Sequence, residues 1–315
     1  MWRYERPQKG RYREFFQWNI DLIGVDSPVA DAEMVAICAS FLRACGLRPE
    51  QVQILVNNRQ LMESELLALG IPVENKTAVF RLVDRRDKLS EASWEAYAAE
   101  IGLDSRQLDG LKALLANQNL WQKSPALSAF FEYLGSLGLS EYVQYAPQII
   151  RGLDYYTGTV FETWDRDGEF RAILGGGRYD NLVAAVGGEP LPATGFAMGD
   201  AVIGLVLKKF NCLPAGLGAS PAKVLVTIFD EGSAATALAL AARLRQSGLP
   251  VSCYPEATKL ARQFKFAERM GLRLVLVLGP DELANGTIAI KDLQASQQMV
   301  VPQEKLEETI RALLK

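Results

Sequence analysis

Arg151, Asp154, Tyr155 and Tyr156 fall in one stretch of twelve residues, Arg151-Gly-Leu-Asp-Tyr-Tyr-Thr-Gly-Thr-Val-Phe-Glu162. A guanidinium is suited to clamping a phosphate or carboxylate through two parallel hydrogen bonds. Most of the stretch alternates β-branched and aromatic residues, so it reads as a strand with Arg151 and Asp154 at its mouth. A strand that begins with an arginine, an aspartate and two tyrosine hydroxyls holds something polar, or else combines a surface ion pair with two core tyrosines.

The chain contains no histidine. That excludes every mechanism built on an imidazole base, nucleophile or metal ligand, and leaves carboxylates, arginines, tyrosines or a bound metal ion. The 34 basic and 37 acidic side chains give a net charge of −3, so a nucleic acid would have to be met by local basic patches. The four cysteines are scattered, with no C-x-x-C pair, which argues against zinc and a disulfide framework and fits a reducing compartment. No apolar run is long enough to span a membrane, and no membrane partner is expected. At 315 residues about two domains are expected.

Residues 1–20 hold five basic and two acidic side chains. Pro7 to Gly10 is a turn signal between two strand-like runs. At strand spacing Arg3 and Glu5 share a face, as do Phe15, Gln17 and Asp21, with Phe16, Trp18, Ile20 and Leu22 on the other. A hairpin presenting Arg3, Glu5, Phe15, Gln17 and Asp21 over an apolar backing suits a nucleotide. Arginine would meet phosphate, the phenylalanine ring would stack on a base, and carboxylates would take amines. The alternative is an amphipathic hairpin with a solvated face.

These motifs need elements to position them. Residues 31–45 read as a helix ended by Gly46, and Val52–Val56 as a strand. About 60–147 is mostly helical (Ser90–Ile101, Ser105–Ala116, Ser124–Leu137) and reads as an inserted helical subdomain. Ser124 before Pro125 is a good N-cap with proline at N1. Phe170–Leu174 reads as a strand running into Gly175-Gly-Gly-Arg-Tyr-Asp-Asn-Leu-Val183, where glycines allow close backbone approach or merely turn the chain. Ala193–Gly199 leads into an apolar helix, Ala201–Phe210. The Pro-, Gly- and Ala-rich residues 211–222 are the expected linker between a core at 1–210 and an α/β domain at 223–315. In that domain Lys259, Arg262, Lys265 and Arg269 share one arc of helix 258–270, either a solvated face or a contact with an RNA backbone.

The opening RYERPQKGRYREF, the central RGLDYYTGTVFE, the GGGRYDNLV run and the final α/β domain resemble histidyl-tRNA synthetase, a class II aminoacyl-tRNA synthetase, over essentially the whole chain. The resemblance implies an α+β fold: an antiparallel six-stranded class II core sheet with a helical insertion, and a C-terminal α/β anticodon-binding domain. It implies ATP with Mg²⁺, histidine and tRNA(His) as ligands, a homodimer, a cytoplasmic location, and no protein-built metal site. In this family's pattern Arg3 contacts the α-phosphate, Glu5 the adenine amino group, and Arg11 the γ-phosphate, while Phe15 stacks on adenine. By the same resemblance Gln17 and Asp21 would hold the amino group of histidine. Arg151 resembles the family's catalytic arginine, placed at the α-phosphate and the attacking carboxylate. Tyr155, Tyr156 and Tyr179 would line the imidazole pocket.

Two departures stand out. The chain begins inside the family's motif 2, without the motif 1 segment that builds the dimer interface, so a weakened dimer and impaired aminoacylation are expected. Ala201 and Val202 stand where the family often has Glu-Arg, with that arginine on the γ-phosphate. The competing identities are the synthetase-like regulatory subunit of ATP phosphoribosyltransferase, a histidine sensor without a domain like 223–315, and an RNA-binding paralogue that has lost catalysis.

Overall fold

The computed structural model describes all residues except Arg3, Glu5, Pro7, Gln8, Lys9, Arg11, Arg151 to Asp154 and Ala219, and the side chain of Asp87. The chain divides into two compact units, Met1–Leu213 and Pro214–Lys315.

In chain order the first unit comprises β1 (Gln17–Ile23), α1 (Pro28–Ala44), β2 (Val52–Asn58), α2 (Arg59–Ala68), α3 (Lys76–Asp84), α4 (Glu91–Glu100), α5 (Ser105–Ala116), α6 (Pro125–Ser136), β3 (Val143–Tyr145), β4 (Thr159–Asp165), β5 (Leu174–Arg178), α7 (Leu182–Ala185), β6 (Ala193–Gly199) and α8 (Asp200–Lys209). Six strands form one sheet in the order β1-β6-β5-β4-β2-β3, antiparallel except for the β2–β3 pair. Helices α2 to α6 fill the connection between β2 and β3. Ser124 caps α6, accepting from Leu127 N at 3.3 Å, as its place before Pro125 predicts. The insertion also carries β3, which was not apparent in the sequence: three residues are too few to show an alternation.

Three sequence expectations are corrected. The strand expected at 151–162 is β4 and starts only at Thr159. The strand expected at 170–174 runs later, from Leu174 to Arg178, so the glycines lie in a central strand and not in a loop after it. A side chain at Gly176 would stand 2.6 Å from Phe196 Cβ, and one at Gly177 would stand 2.6 Å from the Thr159 carbonyl oxygen, so neighbouring strands leave no room for one. Thirdly, the apolar backing of β1 is incomplete. Trp18 packs on Phe41 and Phe196 with ring centroids 5.1 and 5.4 Å apart, whereas Phe16 remains 83% exposed.

α1 lies over the apolar face of the sheet. Its Val35, Ala39 and Leu42 join Ile54, Val56, Phe161 and Phe196 in one buried cluster. Within that layer sits an ion pair. Arg178 Nη2 is 2.8 Å from Asp31 Oδ1, and Nε donates to both Asp31 oxygens at 3.0 and 3.1 Å. Nη1 donates to Val25 O at 3.2 Å and to Asp180 Oδ1 at 3.1 Å, and Nη2 to Ser27 O at 2.9 Å. All three guanidinium nitrogens are therefore engaged. Gly158 makes room for the arginine stem, since a Cβ there would lie 3.0 Å from Arg178 Cδ. Burial raises the Asp31 carboxyl pKa, and the guanidinium offsets only part of that rise.

The second unit is β7 (Val224–Val226), α9 (Ala234–Gln246), β8 (Val251–Cys253), α10 (Leu260–Arg269), β9 (Leu274–Val277), α11 (Pro280–Asn285), β10 (Thr287–Asp292), β11 (Gln297–Pro302) and α12 (Leu306–Leu314). Its sheet runs β11-β10-β9-β7-β8, parallel around β7 and antiparallel at β10. Gln263 anchors α10. Its Oε1 accepts from Ile228 N at 3.0 Å and its Nε2 donates to Ile228 O at 2.7 Å, so a buried amide continues the backbone pairing just past β7.

Arg178→Ala should destabilise the first unit by about 3–5 kcal/mol in urea unfolding, because it strands a buried carboxylate, with Asp31→Asn costing less. A loss below about 1 kcal/mol would show that the pair is not structural.

Candidate active site

Directly opposed residues in antiparallel strands share a face, so the pairing register fixes what lies above the sheet. On the face away from α1, β1 contributes Gln17, Asn19 and Asp21, opposite Gly199, Ala197 and Gly195 of β6. Next in line are Gly175 and Gly177 of β5, then Glu162 and Val160 of β4. Two central strands thus present a floor of four glycines and an alanine, bordered by polar side chains of β1 on one side and Glu162 on the other. A floor without side chains lets a ligand lie against the backbone.

A cavity of about 670 Å³ opens over this floor. Phe15, Gln17, Glu162, Gly175 and Gly199 line it, and Val202 of α8 closes one side. Beside it lies a cluster of tyrosines. The hydroxyl of Tyr179 donates to Asp21 Oδ1, and the Tyr155 ring stands edge-on to Tyr179 at 6.1 Å and 4.6 Å from Tyr156. Tyr156 is buried, and Arg59 Nη1 donates to its carbonyl at 2.9 Å. Thr157 Oγ1 donates to Asp180 Oδ2 at 2.6 Å, tying the same segment to the Arg178 network. Burial, and after it the hydrogen bond and charge of Asp21, push the Tyr179 hydroxyl pKa well above the usual tyrosine range.

The structure therefore brings Phe15 and Gln17 together at the cavity, and Asp21, Tyr155, Tyr156 and Tyr179 together next to it. Arg3, Glu5, Arg11 and Arg151 lie outside the described residues. Lys259, Arg262 and Lys265 belong to the second unit and are exposed around α10, with Arg262 3.7 Å from Glu256. The sequence reading missed Arg59 and Arg178, which position the tyrosines without facing the cavity. Among the described residues no three His, Cys, Asp or Glu side chains form a metal-binding group, and no helix is long and apolar enough to cross a membrane.

Residues 1–201 match the family described as Histidyl-tRNA synthetase, and residues 223–313 match Anticodon binding domain. Histidine--tRNA ligase of Opitutus terrae is 36% identical over 98% of this chain and 74% of that protein. The Thermoplasma volcanium protein of the same name is 35% identical over 96% of this chain and 72% of its own length. The crystal structure of histidyl-tRNA synthetase from Nostoc sp. PCC 7120 superposes with a TM-score of 0.71 at 27% identity, covering 95% of this chain and 74% of that one.

Tyr179 is expected to ionise well above the usual value of about 10 in an alkaline ultraviolet titration, and Asp21→Asn to bring one tyrosine part of the way back. An unchanged titration would remove Asp21 from that hydroxyl. Because the folded-state pKa is raised, this group's contribution to stability is full below about pH 10 and is lost as the pH rises beyond it.

Proposed function

We infer, because the chain belongs to the histidyl-tRNA synthetase family, that the glycine-floored face of its sheet forms histidyl-adenylate, whose histidyl group then passes to a hydroxyl of tRNA(His) as AMP leaves. The observation that carries this reading is that the cavity lined by Phe15 and Gln17 and the Asp21–Tyr179 pair lie along the same face of β1. One compartment suits a nucleotide and the other a small amino acid with a polar ring.

In adenylation the histidine carboxylate attacks the α-phosphorus of ATP. A carboxylate-oxygen–phosphorus bond forms, the bond to the bridging oxygen breaks, and pyrophosphate leaves with its electron pair. No side chain need gain or lose a proton, so positive charge and alignment supply the rate, and a chain without histidine has what the step requires. In this reading Phe15 stacks on adenine and Gln17 and Asp21 take the amino group of histidine. Tyr179, held protonated, keeps the Asp21 carboxylate aimed at that group, and Tyr155 and Tyr156 complete the imidazole pocket. Arg3, Arg11 and Arg151 would carry the phosphate charge, with Glu5 on the adenine amino group. Mg²⁺ would be held mainly by the phosphates of ATP and would neutralise charge there.

The match of residues 223–313 to an anticodon-binding domain supports a tRNA ligase over a sensor that lacks such a domain. The exposed Lys259, Arg262 and Lys265 are its proposed RNA-backbone contacts. Homodimerisation belongs to the same reading, supported by β1 at the sheet edge with Phe16 exposed.

Pyrophosphate exchange into ATP should be stimulated by histidine and by no other amino acid. Arg151→Ala should lower it at least about 100-fold with the fold intact, and Phe15→Ala should chiefly raise KM for ATP. Replacing Lys259, Arg262 and Lys265 by Ala should raise KM for tRNA several-fold and leave exchange unchanged. Histidine binding without exchange would refute the ligase reading in favour of a sensor.

A further inference from the structure

The cavity over the glycine floor adjoins a smaller hollow of about 210 Å³, and the two share Gly10, Trp164, Arg171 and Val202. Phe15 and Gln17 line the first and not the second, so the smaller hollow continues the cavity away from the aromatic ring. A nucleotide lying with its base on Phe15 would send its phosphate tail this way. The α8 residues that line the smaller hollow, Val202 and Leu205, carry no charge.

Two described cations line the larger cavity, Lys88 and Arg171. Lys88 is already paired, with Nζ 2.8 Å from Asp84 Oδ2. Glu169, at the wall of the smaller hollow, is held by Lys209 at 3.2 Å. Arg171 is exposed, and among the described residues it makes no hydrogen bond or ion pair. Its backbone is nonetheless fixed, because Ile173 N, two residues on, donates to Thr163 O at 2.7 Å just before β5 begins. A guanidinium with uncommitted donors, rooted beside a rigid strand at the seam of two hollows, is built to receive a polyanion.

We propose that Arg171 binds the β- and γ-phosphates of ATP and so positions the leaving pyrophosphate. This rests on the reading of the larger cavity as the nucleotide site. Arg171 takes no part in the packing of the core, so its replacement leaves the fold in place.

The test compares ATP and AMP binding by calorimetry for the full chain and for Arg171→Gln, with thermal melting as the control for folding. The variant is expected to bind ATP about tenfold or more weakly and AMP as well as the unchanged chain does, since one charge-assisted contact to the tail is lost. Arg171→Lys should recover part of the loss. Unchanged ATP affinity, or equal losses for ATP and AMP, would overturn the assignment and leave the nucleotide site standing. If the unchanged chain bound neither nucleotide, the nucleotide site itself would fall, and the role of Arg171 with it.

Discussion

The Arg178 guanidinium is the constraint on which the candidate site depends. It lies on the core side of β5, behind the glycine floor, with donors committed to Asp31, Val25, Ser27 and Asp180. Those partners come from the start of α1, the turn before it and the segment that follows β5. Through Asp180 the same network reaches Thr157, next to the buried Tyr156. One buried cation thus sets where α1 meets the sheet and how the tyrosine segments approach each other. Desolvating a charge is costly, and here the cost is offset by filling its hydrogen-bond donors.

The division of labour between the two faces of the sheet follows from register. Odd and even positions of β5 serve opposite ends: Gly175 and Gly177 keep the outer face bare, whereas Gly176 and Arg178 face α1. The same alternation in β1 sends Gln17 and Asp21 to the outer face and Trp18 towards Phe41 and Phe196. A slip of one residue in either strand would exchange the two sets, so the chemistry is tied to the pairing that builds the fold.

Much of this was legible in the sequence. The alternation in Phe15–Leu22 placed Gln17 and Asp21 on one face, and the long helices α4, α5 and α6 lay where caps and periodicity put them. The glycine run was read as following a strand when it is the strand, because glycines have no side chain with which to show an alternation, and their reason lies in other strands. Arg178 was seen only as part of the glycine run, and its structural part went unread. No local pattern announces that Asp31, 147 positions away, will be buried against it. Arg171 carried no signal at all, since its meaning depends on where two hollows meet.

The central claim is that one face of the sheet holds the adenylate across the glycine floor. A crystal structure of the chain with a non-hydrolysable sulfamoyl analogue of histidyl-adenylate tests it most directly. The account predicts adenine against Phe15, the linking group over Gly175, Ala197 and Gly199, and the imidazole among Tyr155, Tyr156 and Tyr179. An analogue bound away from this face, or one lying on it with the imidazole at Phe15, would contradict it.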